Sequence, residues 1–152
     1  MPRKILVPVD IGKLTEPLVD YGHSLAERLD VSVSFLHVLP LVSSWMGFEK
    51  WIPENAIQNA RESAEKKIRY YIRKSEDNFP DLQKHEHPIL FKEGNPAEEI
   101  IKTAKEGEFN LIIVGYRSMS GIQEMIVGST AANVIRYAHC SVLIFRPGFD
   151  VF

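Results

Sequence analysis

Short apolar runs along the chain alternate with longer stretches in which apolar residues recur every three or four positions. The runs are rich in valine, isoleucine and leucine, which is typical of strands buried on both faces of a sheet. They predict five strands, at residues 5–9, 31–39, 85–91, 111–114 and 142–145, of which the third has the weakest pattern.

The stretches between these runs carry the spacing of amphipathic helices. The first has apolar residues at helical intervals, namely Leu14, Leu18, Tyr21, Leu25 and Leu29. The second has an i, i+4 stripe made of Ala56, Ala60, Ala64, Ile68 and Ile72. The third begins with a helix-start signature: Asn95 as cap, Pro96 in the first turn and Glu98 three residues after the cap.

Strands that are separated by helices form right-handed βαβ crossovers. The pattern therefore predicts an α/β fold, with an open five-stranded parallel sheet and helices on both faces. Periodicity alone does not give the order of the strands. A chain of 152 residues has the size of one domain, and we expect a single domain over residues 1–152.

Residues 40–55 interrupt the alternation with a long connection that carries Trp45, Phe48 and Trp51 at near-helical spacing. Long connections inside compact domains are usually functional or mobile. Two interpretations of this predicted flap stay open. It is either an aromatic segment packed on its own domain, or a lid over a ligand or a partner-docking surface.

Composition and charge narrow the classes of function. Hydrophobic residues make up 45% and charged residues 25% of the chain, as in ordinary globular proteins. The net charge of −2 gives no general attraction to nucleic acid or to acidic membranes. The single cysteine, Cys140, suits a reducing compartment, and the first apolar run stops at Asp10, too short for a signal peptide or a membrane span. We therefore expect a cytoplasmic protein.

The last third of the chain carries the candidate chemistry. The predicted fourth strand ends at Gly115, a short polar loop follows, and Gly128, Ser129 and Thr130 open the fourth helix. Glycines at a strand end and a helix start let backbone N–H groups approach an anion, and the helix N-terminus adds partial positive charge. This arrangement predicts a strand–loop–helix cradle for phosphate without the Walker lysine. Ser129 also fits the simpler role of a helix cap.

The motifs of common nucleotide-dependent enzymes are missing from the sequence. It has no GxxxxGK motif of a Walker NTPase, and no GxGxxG motif of a dinucleotide enzyme. It also lacks the paired acids that a phosphoryl-receiver domain needs after its first strand. The five histidines form no catalytic set, and we predict no metal site and no catalytic residue.

The spacing of the glycines carries a family signature. Gly115 and the pair Gly128 and Ser129 stand at the positions of a pattern that reads Gly, two residues, Gly, nine residues, then Gly-Ser or Gly-Thr. The strings ILVPVD, HVLP and HCSVLIFR accompany it. Together these features resemble the universal stress protein family, in its ATP-binding branch, over nearly the whole chain. The resemblance implies a Rossmann-like sheet of the adenine nucleotide alpha hydrolase type in the order 3-2-1-4-5, with Asp10 and Gly115 facing each other across one crevice.

For the nucleoside half of ATP, the resemblance implies contacts from the ends of the first two strands. Pro8 and Val9 would touch the adenine, and Val38 would offer backbone groups to its edge. Asp10 would accept hydrogen bonds from the ribose hydroxyls. The alternative role of Asp10 is to form the turn before the first helix.

For the phosphate half, with or without magnesium, the implied contacts come from Gly115 and residues 128–130. The middle glycine of the family pattern is replaced by Ser118, which weakens binding about fivefold if that position needs a positive φ. Ser118 keeps its N–H and adds a hydroxyl donor. Arg117 in the same loop would either pair with the β- or γ-phosphate or stay solvated.

Two functions stay open on these grounds. The first is a dimeric stress-response or signalling module that binds ATP and hydrolyses it slowly or not at all. The second is a nucleotide-free dimeric interaction protein of the same fold, which Ser118 favours. The resemblance implies that the fifth strand, residues 142–145, is an edge that pairs with its symmetry mate in a homodimer. The alternative is that residues 146–152 fold over this edge.

Overall fold

A computed structural model describes residues 2–39, 53–116 and 127–149 of the chain. The strands within these ranges are β1 (Lys4–Pro8), β2 (Ser32–Leu39), β3 (Ile89–Glu93), β4 (Leu111–Gly115) and β5 (Ser141–Phe145). They form a parallel sheet in the order β3-β2-β1-β4-β5. The predicted fold class is confirmed, and so is the strand order that the resemblance implied.

Helices connect the strands. They are α1 (Thr15–Leu29), α2 (Glu54–Glu76), a 3-10 helix (Pro80–Lys84), α3 (Pro96–Glu106) and α4 (Ser129–Tyr137). Asn95 caps α3 as predicted, since its side chain accepts a hydrogen bond of 3.1 Å from the N–H of Glu98. In the described part of the chain, no helix is both long and apolar enough to cross a membrane.

The predicted flap ends earlier than expected. Pro53 is the N-cap of α2, and the helix begins at Glu54, so residues 54 and 55 belong to α2 and not to the flap. Proline has a fixed φ and lacks an N–H, so it suits the start of a helix. Residues 40–52, which make up the rest of the predicted flap, lie outside the described residues.

The sheet is buried on both faces. On one face, α1 and α2 cover a cluster that includes Val7 and Phe35. On the other face, α3 and α4 cover a cluster that includes Leu6, Leu36 and Ile112. Neighbouring residues of one strand point to opposite faces, so each strand needs apolar residues at consecutive positions. The predicted helices on both faces are therefore confirmed.

The third strand begins later than predicted. β3 starts at Ile89, and His85 and His87 precede it in the chain. His85 Nε2 lies 2.9 Å from Asp30 Oδ1, and the N–H of Val33 donates to His87 Nδ1 at 3.0 Å. Side-chain hydrogen bonds to residues far away in the sequence thus hold His85 and His87, and neither residue belongs to the strand.

Only the second half of the apolar stripe on α2 belongs to the core. Ala64, Ile68 and Ile72 are buried, whereas Ala56 and Ala60 are exposed. The first turns of α2 therefore extend beyond the packed core, and Ala60 lines the cleft at the end of the sheet.

Candidate functional site

A cleft of about 600 Å³ opens at the carboxyl ends of β1, β2 and β4. From β1 the chain continues to β2 on one side of the sheet, and from β4 it continues to β5 on the other side. Open α/β sheets bind their ligands at the point where the connections diverge in this way. The walls of the cleft come from the beginnings of α1, α3 and α4 and from the first half of α2. Its volume falls within the range of about 300–1,000 Å³ that is usual for small-molecule sites.

Most of the predicted binding residues line this cleft, namely Pro8, Val9, Asp10, Val38, Gly115, Gly128 and Thr130. Ser129 lies between two of them as the first residue of α4 and is exposed to solvent. Arg117 and Ser118 lie outside the described residues. Asp10 and the start of α4, which are far apart in the sequence, therefore belong to one cleft.

Asp10 stands on the turn between β1 and α1, and this turn is closed by side-chain hydrogen bonds. Asp10 Oδ1 accepts from the N–H of Ile11 at 2.9 Å. The Thr15 hydroxyl accepts from the N–H of Gly12 at 2.8 Å and donates to the carbonyl of Asp10. Thr15 is buried and also lines the cleft. The carboxylate of Asp10 is itself exposed, so it is accessible to a ligand.

His37 is a further polar residue of the cleft. It is buried on β2, and its Nδ1 lies 2.8 Å from the carbonyl oxygen of Val9. A carbonyl oxygen only accepts hydrogen bonds, so Nδ1 carries the proton and donates. The histidine ring also stands edge-on to Phe91, with centroids 6.4 Å apart.

Sequence reasoning missed Thr15 and His37 as residues of the site. His37 directly precedes Val38 in the HVLP string, which is one of the strings that carry the resemblance. Thr15 follows Asp10 by five positions and gave no periodic signal. Both residues could have been found only because they lie close in the sequence to a predicted binding residue at the end of a buried strand.

The start of α4 has no side-chain cap. Its N-cap residue is Gly128, with φ −61° and ψ 156°, so no side chain competes at that position for the first N–H groups of the helix. The N–H of Gly128 donates to the carbonyl of Tyr116 at 2.8 Å. This bond joins the two ends of the segment that connects β4 to α4. The cleft therefore faces an uncapped helix N-terminus, which favours anions.

The described lining of the cleft is mostly apolar. It includes Leu14, Leu18, Leu39 and Ile100, and Asp10 is the one charged side chain that the described residues contribute to it. Within the described ranges, histidine, cysteine, aspartate and glutamate side chains form no group of three or more that could hold a metal ion. The site thus combines an apolar floor, one acid and a helix N-terminus.

A second hollow, of about 860 Å³, lies between α3 and α4. Ile101, Lys105 and Tyr137 are among the residues that line it. Its described lining contains no residue predicted to bind ATP.

The sequence profile of the Universal stress protein family matches residues 1–146 of the chain. The chain belongs to the universal stress protein family. This universal stress protein is 31% identical over 150 residues to Universal stress protein YxiE of Bacillus subtilis (strain 168), an alignment that covers 96% of this chain and 100% of that protein.

Solved structures have the same fold. Universal stress protein UspA from Lactobacillus plantarum superposes with a TM-score of 0.77 at 20% identity, over 95% of this chain and 97% of that one. The universal stress protein from Archaeoglobus fulgidus, in complex with dAMP, superposes with a TM-score of 0.62 at 22% identity, over 95% of this chain and 98% of that one. At these identities the superpositions establish the fold alone.

Proposed function

We propose that this universal stress protein binds an adenine nucleotide, ATP in the first place, in the cleft at the ends of β1, β2 and β4. We further propose that it acts as a dimeric stress-response or signalling module. The observation that carries the proposal is that Asp10 and the uncapped start of α4 line the same cleft. The dAMP complex of the Archaeoglobus fulgidus protein, which has this fold, supports the choice of an adenine nucleotide.

The adenine is assigned to the apolar floor at the ends of β1 and β2. β1 pairs with β2 as far as Pro8 opposite Leu36, and the N–H of Val9 donates to the carbonyl of Leu36. Leu36 therefore points its backbone groups toward β1, and the backbone groups of residues two positions apart on a strand point to the same side. Val38 thus directs its N–H and C=O toward the same side, beyond the end of β1. These two groups match the donor and acceptor on the edge of adenine, and Pro8 and Val9 supply apolar contact.

The ribose is assigned to Asp10. Its carboxylate is exposed at the cleft, and one of its oxygens already accepts the N–H of Ile11. The second carboxylate oxygen is the acceptor that we assign to the ribose hydroxyls. A hydrogen bond to a charged group contributes about 1.5–3 kcal/mol.

The phosphates are assigned to the amino end of α4, next to Gly115. Gly128 leaves the first N–H groups of the helix without a side-chain cap, and the helix dipole favours a negative charge there. Thr130 also lines the cleft, and its hydroxyl is assigned as a further donor. Arg117 and Ser118 complete the proposed phosphate site, with or without magnesium. We expect hydrolysis to be slow or absent, because the sequence has no Walker lysine.

A nucleotide-free interaction protein of the same fold is the second candidate. One observation favours it: the described lining of the cleft contains no lysine or arginine that would pair with phosphate. The absorbance ratio of the purified protein and a mass spectrum of its denatured supernatant separate the two candidates. Co-purifying adenine nucleotide supports the first. An empty protein that also takes up no added ATP supports the second.

Calorimetric titration with ATP tests the site itself. Asp10→Ala is expected to weaken binding about 10- to 100-fold, because the charged hydrogen bond to the ribose is lost. Asp77→Ala is a matched control, because Asp77 is an exposed acid at the opposite end of α2 from the cleft. Equal affinities of the wild type and Asp10→Ala would remove Asp10 from the site.

The homodimer is assigned to the exposed edge of β5. The carbonyl of Phe145 accepts a hydrogen bond from the N–H of Tyr116, so the backbone groups of Phe145 point toward β4. The backbone groups of successive residues in a strand point to alternate sides. Those of Val142 and Ile144 therefore point outward, away from β4. Such an edge favours pairing with a second copy. The described part of the tail turns at Arg146, whose guanidinium stacks on Phe149, and Phe149 remains 69% exposed.

A substitution that removes one outward N–H tests this assembly. Val142→Pro keeps the ladder to β4 and deletes a donor from the edge, so it is expected to give a monomer in sedimentation equilibrium at micromolar concentration. Val142→Ala is the control that keeps the N–H. A wild-type protein that sediments only as a monomer would contradict the proposed dimer.

A further inference from the structure

Two buried side chains form hydrogen bonds to the backbone carbonyl groups of Val9 and of Asp10 itself. The Val9 carbonyl, on the amino side, accepts from His37 Nδ1 at 2.8 Å. The Asp10 carbonyl, on the carboxyl side, accepts from the Thr15 hydroxyl. His37 is 3% exposed and Thr15 is 2% exposed, and both line the cleft. The backbone of Asp10 is therefore held from β2 and from α1 at once.

The turn that follows Asp10 is held by the same hydroxyl. Thr15 Oγ accepts from the N–H of Gly12 at 2.8 Å while it donates to Asp10, so it acts as both acceptor and donor. The N–H of Ile11 binds Asp10 Oδ1. These bonds fix both the backbone and one carboxylate oxygen of Asp10, so the direction of the carboxylate is set before any ligand arrives.

We propose that His37 and Thr15 are positioning residues of the cleft, and that the cleft uses them to select ligands by their ribose hydroxyls. This inference rests on the proposed binding of an adenine nucleotide. Neither side chain needs to contact the ligand. A held acceptor loses less conformational freedom on binding than a mobile one, so its hydrogen bond to a ligand contributes more affinity and more discrimination.

A role in packing alone makes a different prediction. If Thr15 only filled space, valine, which has nearly the same shape, would serve as well. If His37 only filled space, asparagine and glutamine, whose amides reach different ring-nitrogen positions, would have the same effect on binding. The side-chain amide of asparagine reaches the position of Nδ1, whereas that of glutamine reaches the position of Nε2. His37→Asn therefore keeps a donor for Val9, and His37→Gln removes it.

The experiment is calorimetric titration of each variant with ATP and with 2′,3′-dideoxy-ATP, which lacks both ribose hydroxyls. The ratio of the two Kd values reports the recognition of the ribose alone. We expect the wild type to favour ATP by about tenfold or more. We expect this ratio to fall close to one in Thr15→Val and His37→Gln, as in Asp10→Ala. Thr15→Ser and His37→Asn are expected to keep most of it.

The affinity for dideoxy-ATP is expected to stay near the wild-type value in all of these variants, because adenine and phosphate contacts are unchanged. Wild-type ratios in both Thr15→Val and His37→Gln would overturn the inference and leave the proposed nucleotide site intact. A wild-type protein that binds neither ligand would overturn both. Thermal unfolding of each variant confirms that it is folded, and if one fails to fold, the variant of the other residue decides.

Discussion

Lowering the pH from 7 to 5 is expected to destabilise the protein by about 2 kcal/mol through one side chain, His23. His23 is fully buried on α1. Its Nδ1 lies 2.7 Å from the hydroxyl of Ser75 on α2, and its ring packs edge-on to Phe35 at 4.9 Å. Within the described residues, its Nε2 has no hydrogen-bond partner. A proton on that nitrogen would be buried without compensation.

Burial lowers the pKa of His23 from its ordinary value of 6.5 to about 4, and the positive charge of His87 contributes a smaller part of the decrease. One pKa unit corresponds to about 1.4 kcal/mol. Between pH 6.5 and pH 4, the unfolded chain binds a proton at His23 that the folded protein excludes. Stability is therefore fully present above pH 6.5 and is lost as the pH falls toward 4. The full loss is about 3 kcal/mol, of which about 2 kcal/mol falls between pH 7 and pH 5.

Urea unfolding followed by circular dichroism at pH 7, 6 and 5 measures this loss. The control is the double variant His23→Leu/Ser75→Ala, which removes the titrating ring together with its hydroxyl partner and so leaves no orphaned polar group. Other titrating groups contribute equally to both proteins. We expect the stability of the wild type relative to the double variant to fall by about 2 kcal/mol from pH 7 to pH 5. A difference that does not change with pH would refute the reasoning.

Three further predictions concern stability and reactivity. Asn95→Ala is expected to cost about 1 kcal/mol in urea unfolding because α3 loses its cap, whereas Asn95→Asp keeps the acceptor and most of the stability. Gly107→Ala would bring a Cβ to 2.5 Å from Phe109 Cε2 and 3.0 Å from the carbonyl oxygen of Thr103, so we expect a loss of about 1–3 kcal/mol in thermal unfolding, which Phe109→Leu partly restores. Burial raises the pKa of the Cys140 thiol, so iodoacetamide is expected to alkylate it more slowly at neutral pH than it alkylates free cysteine, and an equal rate would contradict the assignment.

The fold could be predicted because its information is local and periodic. The apolar run that contains Leu6 and Val7 predicted a strand buried on both faces, and both residues are fully buried in β1. The cap at Asn95 was also readable, since a capping signature spans only four residues. The strand order came from the resemblance, because periodicity does not specify which strands are neighbours.

The wrong start of the third strand has a physical cause. His85 and His87 have the alternation of a strand, but their side chains bind Asp30 and Val33, which lie more than fifty residues earlier in the chain. Contacts over such separations exist only after the chain has folded, so a local pattern does not reveal them. The contact between His23 and Ser75 was not visible in the sequence for the same reason, since the two residues belong to different helices.

The candidate site was predictable where the family pattern supplied the residues. Gly115 and Gly128 came from the spacing of the glycine motif, Asp10 came from the family resemblance, and all of them line the cleft. His37 and Thr15 were not predicted, because neither has a periodic signal and the sequence does not reveal the carbonyl groups that they contact. The binding role of the cleft and the positioning roles of His37 and Thr15 are proposals that the titrations test.

The backbone hydrogen bond from the N–H of Gly128 to the carbonyl of Tyr116 joins the end of β4 to the start of α4. It involves only backbone groups, so it does not depend on the side chains of the stretch between them. Lengthening a stretch whose two ends are tied together costs about 0.6 kcal/mol of loop-closure entropy for each doubling of its length. Proteins built on this frame can therefore differ in the length of the stretch without a change in the sheet, whereas the proposed phosphate contacts of Arg117 and Ser118 constrain its chemistry.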